Sequence, residues 1–333
     1  MSGKAKLLAI LKDVSRSFYI SVRFLPHQIQ MTIAIAYLLA RTSDTIADTN
    51  QLPAGNRIEF LRRFLASLLN DRPSNQLELA SCLRAQPEGP EKVLLSRMEI
   101  VFDEFSNLSP AHRELVVEVL TQIIRGQTLD ISKFETRDGV TALKDEAALE
   151  EYTYFVGGSV GEFWTKVCFL AWSSYARLPE SEMLISGKAF GKGLQLINIL
   201  RDFPRDLQAG RCYLPVPNPE SVAQNPNSAR KEWERWRCRA SEQLEEAWHY
   251  LSAVRPWRVR FACGMPILIG IRTLRLLGEA TELVPGIKVS RSEVHRMMLW
   301  AAAIAVFRPL ERAAFCEFFR PAKGQAPPRP RSR

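Results

Sequence analysis

Two pairs of aspartates, Asp44/Asp48 in ARTSDTIADT and Asp202/Asp206 in ILRDFPRD, stand on the inward face of helical stretches that are otherwise apolar there. At about 100° per residue, Tyr37, Arg41, Asp44 and Asp48 fall within an arc of roughly 60°, and Gln195, Asn198, Asp202 and Asp206 within roughly 80°. Each set forms one stripe of oxygen acceptors. Bare carboxylate stripes on inward faces repel and carry a desolvation cost. Hard, oxygen-seeking cations such as Mg²⁺, bringing their own water and a diphosphate, neutralise such a surface. A lone Asp pair at i,i+4 is most often a solvated helix face. Here the spacing recurs, with Arg16, Arg41, Arg201 and Arg211 beside the acids, and the combination points to metal and phosphate chemistry.

Four blocks of sequence, in order between about Asp13 and about Leu277, resemble the squalene/phytoene synthase family of head-to-head prenyl synthases. Ser15-Arg16-Ser17-Phe18 is similar to the family's opening S-[RK]-S-F. Tyr37-x-x-x-Arg41-x-x-Asp44-x-x-x-Asp48 resembles its first aspartate-rich motif. The run from Tyr152 to Gly161 resembles its Y-C-x-x-V-A-G-x-V-G helix. Gln195-x-x-Asn198-x-x-Arg201-Asp202-x-x-x-Asp206, followed by Gly210-Arg211-Cys212-Tyr213-Leu214-Pro215, resembles its second aspartate motif and G-R-x-Y-L-P exit.

The resemblance implies a single-domain, all-α isoprenoid synthase bundle whose central cavity is flanked by two aspartate-rich helices. Asp44, Asp48, Asn198, Asp202 and Asp206 would hold Mg²⁺ or Mn²⁺. Arg16, Arg41, Arg201 and Arg211, with Ser15, Ser17, Tyr37, Gln195 and Tyr213, would form the diphosphate-binding set, a task that suits planar, permanently charged guanidinium groups. Tyr152, in the cavity wall, would lie near the carbocations and the proton that is lost. Ionising an allylic diphosphate requires a neutralised leaving group and a dry cavity around the cation, which agrees with this set. Three positions depart from the family pattern: Thr153 for Cys, Phe155 for Tyr, and Arg205 where an acid often precedes the second Asp. Pro204 removes a backbone donor inside the motif and is expected to bend the helix, re-aiming Asp206.

The elements that must position these residues are helices. Period-3.6 patterns recur over 28–48, 56–69, 91–105, 110–128, 144–176, 181–208, 230–253, 258–279 and 290–319, while alternating β-type runs are almost absent. Ser109-Pro110 and Ser290 read as helix starts, Gly210 and Gly278 as stops. The chain of 333 residues, 46% hydrophobic, can bury a large core. No linker divides it and both halves supply motifs, so residues 1–320 read as one domain. Residues 215–227 form a Pro/Asn-rich loop, readable as a flap or as a plain connection, and residues 321–333 a disordered basic tail.

A net charge of +9 suggests an anionic partner. A prenyl diphosphate and an anionic membrane surface fit better than nucleic acid, for which there is no reader motif. The six cysteines, at 82, 168, 212, 238, 263 and 316, show neither CxxC nor a paired framework, which argues for a reducing cytoplasm without disulfides or zinc. The N-terminus does not read as a signal peptide. Met297–Phe307 falls short of the roughly 20 residues that span a bilayer, so peripheral contact at the inner face is expected rather than a transmembrane helix.

Cys263-Gly-Met-Pro266 to Thr273-Leu274 looks like the C-A-x-P helix of reducing family members, near their second half-reaction. Its alternative is a Pro-kinked core helix. The resemblance thus implies condensation of two farnesyl diphosphates through a cyclopropyl diphosphate to squalene, with NADPH. The rivals are an enzyme that stops at the cyclopropyl intermediate, dehydrosqualene or phytoene, and a non-catalytic relative.

Overall fold

The computed structural model describes residues 3–49, 51–69, 76–134 and 139–319, without the side chains of residues 16, 17 and 76–79. The tail expected over 321–333 lies outside these residues. Packing groups the chain into two compact units, Met1–Asp138 with Tyr154–Ser173, and Gly139–Thr153 with Ser174–Arg333.

The first unit contains α1 (Gly3–Val14), α2 (Arg16–Phe24), α3 (His27–Ala47), α4 (Ala54–Leu69), α5 (Gln76–Ala85), α6 (Pro90–Ser96), α7 (Met98–Ser106) and α8 (Pro110–Phe134). Two-thirds of α3 is buried, including Ile29, Ile33, Leu38 and Leu39, as expected for a helix apolar on most of its circumference. Helices α4, α7 and α8 pack on it, with Phe64 and Phe102 edge to face at 6.2 Å. The chain then runs through α9 (Glu146–Thr153), which belongs to the second unit, a π-helical turn over Tyr154–Gly158, and α10 (Ser159–Ala171). Gly126 on α8 makes room for that turn: a Cβ there would lie 2.5 Å from Val156 Cγ1 and 3.0 Å from Phe155 Cβ.

The second unit is built on α11 (Glu180–Gln208), followed by α12 (Pro219–Gln224), α13 (Arg230–Ala253), α14 (Trp257–Glu279), α15 (Arg291–Val306) and α16 (Leu310–Phe318). Trp233 is fully buried and its indole N–H donates to the Leu200 carbonyl at 3.1 Å, fixing α13 against the turn of α11 that carries Arg201 and Asp202. Arg260, also buried, donates to the carbonyls of Leu251, Val254, Ile304 and Ala305 and pairs with Glu311, so one side chain satisfies the ends of α13 and α15. A two-residue parallel pair, β1 (Thr141–Ala142) with β2 (Arg211–Cys212), was not visible as an alternating pattern.

The all-α reading holds, and the nine expected stretches coincide with helices, with four local differences. The stretch 91–105 breaks at Arg97, and 290–319 breaks before Pro309, which has no N–H to continue a helix. The π turn interrupts 144–176. Helices α1, α2, α5 and α12 lie outside the expected stretches. Pro110 and Ser290 start helices as expected, Ser290 through a full capping box with Glu293. Gly210, with φ +79°, turns the chain out of α11. Gly278 is not a stop: α14 runs through it to Glu279, and the glycine leaves space for the Arg237 guanidinium, 3.3 Å from where a Cβ would stand.

Helix α14 is long and apolar enough to cross a membrane, but 61% of its most apolar window is buried inside the unit and it carries the buried Arg260, so it packs as a core helix.

Candidate active site

In the first unit, Asp44 and Asp48 occupy the end of α3, whose last turn holds no basic residue. Two acids there oppose the helix dipole and call for outside positive charge. Asp44 is half-buried and its Oδ1 accepts from the Gln127 amide at 2.6 Å. Burial pushes its carboxyl up to about 6; the Gln127 bond and Arg41 pull it down, and the charge of Asp48 adds to the rise. Asp48 is not inward: it caps α3 and is exposed. Arg41 donates to Glu91 at 2.6 Å. Tyr37 stacks on Phe18 at 4.2 Å, joining the first and second sequence blocks. Ser15 is the N-cap of α2, with no cap bond from its hydroxyl. The side chains of Arg16 and Ser17 lie outside the described residues.

In the second unit, α11 carries Gln195, Asn198, Arg201, Asp202 and Asp206, and remains helical through Pro204. Asn198 is exposed and donates to Gln195 at 3.4 Å; Asp202 and Asp206 are half-buried. Arg201 grips the adjacent Asp202 in a fork, Nε to Oδ1 at 2.9 Å and Nη2 to Oδ2 at 2.5 Å. Arg205 is exposed. Past Gly210, the β1–β2 pair sets Arg211 opposite Thr141 and leads to Tyr213, whose ring stacks on Tyr152 at 4.9 Å. Lys192 pairs with Glu150, tying α9, and with it Tyr152, to α11. Burial, with Asp206 adding to it, pushes the Cys212 thiol up to about 12 despite its bond to the Leu214 carbonyl, so it is no nucleophile. Beyond this, residues 215–227 include α12 and are tied down by Glu220 accepting from Val140 N and Asn227 accepting from Leu283 N. They form a packed connection rather than an open loop.

Among the described residues, no three or more His, Cys, Asp or Glu side chains group to hold a metal ion. Neither motif is a closed protein cage. The donors are nonetheless oxygen only, and one carboxylate is disfavoured as an anion by burial. That set suits Mg²⁺ or Mn²⁺, which use one or two carboxylates and take remaining ligands from water and phosphate.

Sequence reasoning missed Gln127, Glu91, Trp233 and the Lys192–Glu150 pair. Gln127 alone left a trace, as an amide within the apolar stripe of α8.

The fold is that of the all-α isoprenoid synthases. It aligns with the structure described as TcSQS bound to the ligand E5700 at a TM-score of 0.77 and 20% identity, over 95% of this chain and 91% of that one. A dehydrosqualene synthase in complex with ligand aligns at 0.60 and 22%, over 90% and 95%. The squalene/phytoene synthase family model matches residues 11–297, and the chain belongs to that family. Squalene synthase of Schizosaccharomyces pombe is 24% identical over 302 residues, 87% of this chain and 63% of the relative. The chain spans less than two thirds of the length of the curated relatives it matches.

Proposed function

We propose that the chain is a prenyltransferase that condenses two farnesyl diphosphates head to head, through a cyclopropyl (presqualene) diphosphate, to squalene. The observation that carries the reading is the end of α3, where Asp44 and Asp48 stand against the helix dipole and burial pushes Asp44 up to about 6. Mg²⁺ or Mn²⁺ held by Asp44, Asp48, Asn198, Asp202 and Asp206 would supply charge neutralisation of the leaving diphosphate. Arg201 and Asp202 neutralise one another in their fork; once Asp202 serves a cation, both guanidinium donors become available to a phosphate. Arg16, Arg41 and Arg211 complete the grip. Loss of diphosphate from one donor leaves an allylic cation, the double bond of the other attacks it, and proton loss closes the cyclopropane. The departing diphosphate or Tyr152, oriented by its stack on Tyr213, takes that proton. Work at the inner face of a membrane, from the cytoplasm, fits so apolar a product.

The reductive finish with NADPH rests on the resemblance of residues 263–274. Here Cys263, Ile267, Leu268 and Leu274 are buried and the Thr273 hydroxyl donates to the Ile269 carbonyl at 2.8 Å, so these side chains pack within the unit. No residue is assigned to the nicotinamide. This observation favours a second reading, in which the reaction stops at presqualene diphosphate, dehydrosqualene or phytoene. A non-catalytic relative is disfavoured by the intact acid and arginine sets. Purified protein given farnesyl diphosphate and Mg²⁺, with and without NADPH, and products identified by mass spectrometry, decides: NADPH redirecting flux to squalene supports the first reading, identical profiles the second, and no diphosphate release refutes both.

A further inference from the structure

One end of the second unit gathers arginines and bare apolar side chains. An antiparallel bridge joins Ala176 to Val254, with Arg177 N donating to Ala253 O and Arg255 N to Tyr175 O, each at 2.9 Å. Arg308 donates to the carbonyls of Ser252 at 3.0 Å and Val254 at 2.7 Å, so the end of α15 is pinned to the same place. The acid there, Glu311, is paired with buried Arg260. Burial first, then the like charges of Arg260, Arg177 and Arg255, hold the Arg308 guanidinium below its ordinary value, as befits a net positive surface. Beside these cations stand Val306, 71% exposed, Phe307, 56%, and Trp257, 49%, with Arg258 over the indole ring at 5.4 Å.

We propose that this end of the second unit, through Arg177, Arg255, Arg258, Trp257, Val306 and Phe307, docks on an anionic lipid surface. Aromatic and aliphatic side chains of this kind enter the headgroup boundary while neighbouring guanidinium groups pair with lipid phosphates. A nucleic acid has no use for bare Val306 and Phe307, and a second copy of the patch would bring arginine against arginine. The inference deepens the membrane contact put forward above. Its test reads lipid rather than turnover, so its failure leaves the condensation reading untouched.

The full chain is sedimented with vesicles of phosphatidylcholine alone or with about one-third phosphatidylglycerol, at low and high salt. Two patch variants, Arg177→Glu/Arg258→Glu and Val306→Ser/Phe307→Ser, are compared with Arg62→Glu/Arg63→Glu on the exposed face of α4, each checked for an unchanged melting curve. At about a fivefold effect per basic residue near the surface, the charge variant should partition at least tenfold more weakly on anionic vesicles and lose salt dependence, with the control unchanged. The serine variant should weaken binding at both salt levels. Wild-type protein that ignores anionic vesicles, patch variants that bind like wild type, or a control that loses as much, overturns the proposal. A wild-type dimer dissociated by the patch variants overturns it in favour of self-association.

Discussion

The amide of Gln127 on α8 donates to the carboxylate of Asp44 on α3 at 2.6 Å and to the Ser43 hydroxyl at 3.0 Å. The pair fixes the acidic side chain of the first motif that is set into protein, while its other carboxylate, Asp48, is exposed. Partners behind a metal ligand typically contribute about 10–100-fold in affinity or activity. Gln127→Leu is therefore expected to raise the Mg²⁺ concentration giving half-maximal turnover by about that factor in a folded protein, read from metal titrations of the initial rate.

The raised pKa of Asp44 sets a pH dependence. A carboxyl near 6 in the folded state, against about 3.9 unfolded, binds more protons when folded between those values. Its contribution to stability is full below about pH 4, falls as pH rises to about 6, and stays low above it. The loss is about 2 kcal/mol after allowance for partial solvent contact. Metal-free protein should melt progressively lower across that window, and Asp44→Asn should flatten the dependence. Parallel profiles for both proteins would show that Asp44 ionises unhindered.

Arg41 is already held by Glu91 before any phosphate arrives. Arg41→Lys keeps the charge but loses the planar fork, and a drop in kcat/KM of about tenfold or more is expected. Glu91→Gln should act mainly through KM, since it frees a guanidinium that still reaches phosphate. Wild-type kinetics in the lysine variant would mark Arg41 as structural.

Gly126 faces the π turn too closely for a side chain. Gly126→Ala should cost about 1–3 kcal/mol in denaturant unfolding, and Val156→Ala in the same protein should restore part of it. Destabilisation that Val156→Ala leaves unrelieved would locate the strain elsewhere.

The periodicity of apolar residues made the helices legible, and the i,i+4 acids marked both motifs before any coordinates. What the sequence concealed were relationships between distant helices. Nothing local to α8 says that Gln127 will meet Asp44, or that Glu91 will take Arg41, because both pairings depend on tertiary packing. The π turn was hidden for a related reason: Tyr154–Gly158 keeps a helical pattern while widening to i→i+5, a change permitted by Gly126 on another helix. Periodicity predicts a face and not the point where a helix ends, so it does not show that Asp48 is the exposed cap just past α3.

Diphosphate release from farnesyl diphosphate by Asp44→Asn and Asp202→Asn, measured with saturating Mg²⁺ on protein of unchanged melting behaviour, tests the central claim most directly. Each substitution should reduce the rate by about 10³-fold or more, because an amide replaces an anionic metal ligand in either motif. Release within about threefold of wild type in either folded variant, far below the loss expected of a metal ligand, would contradict it.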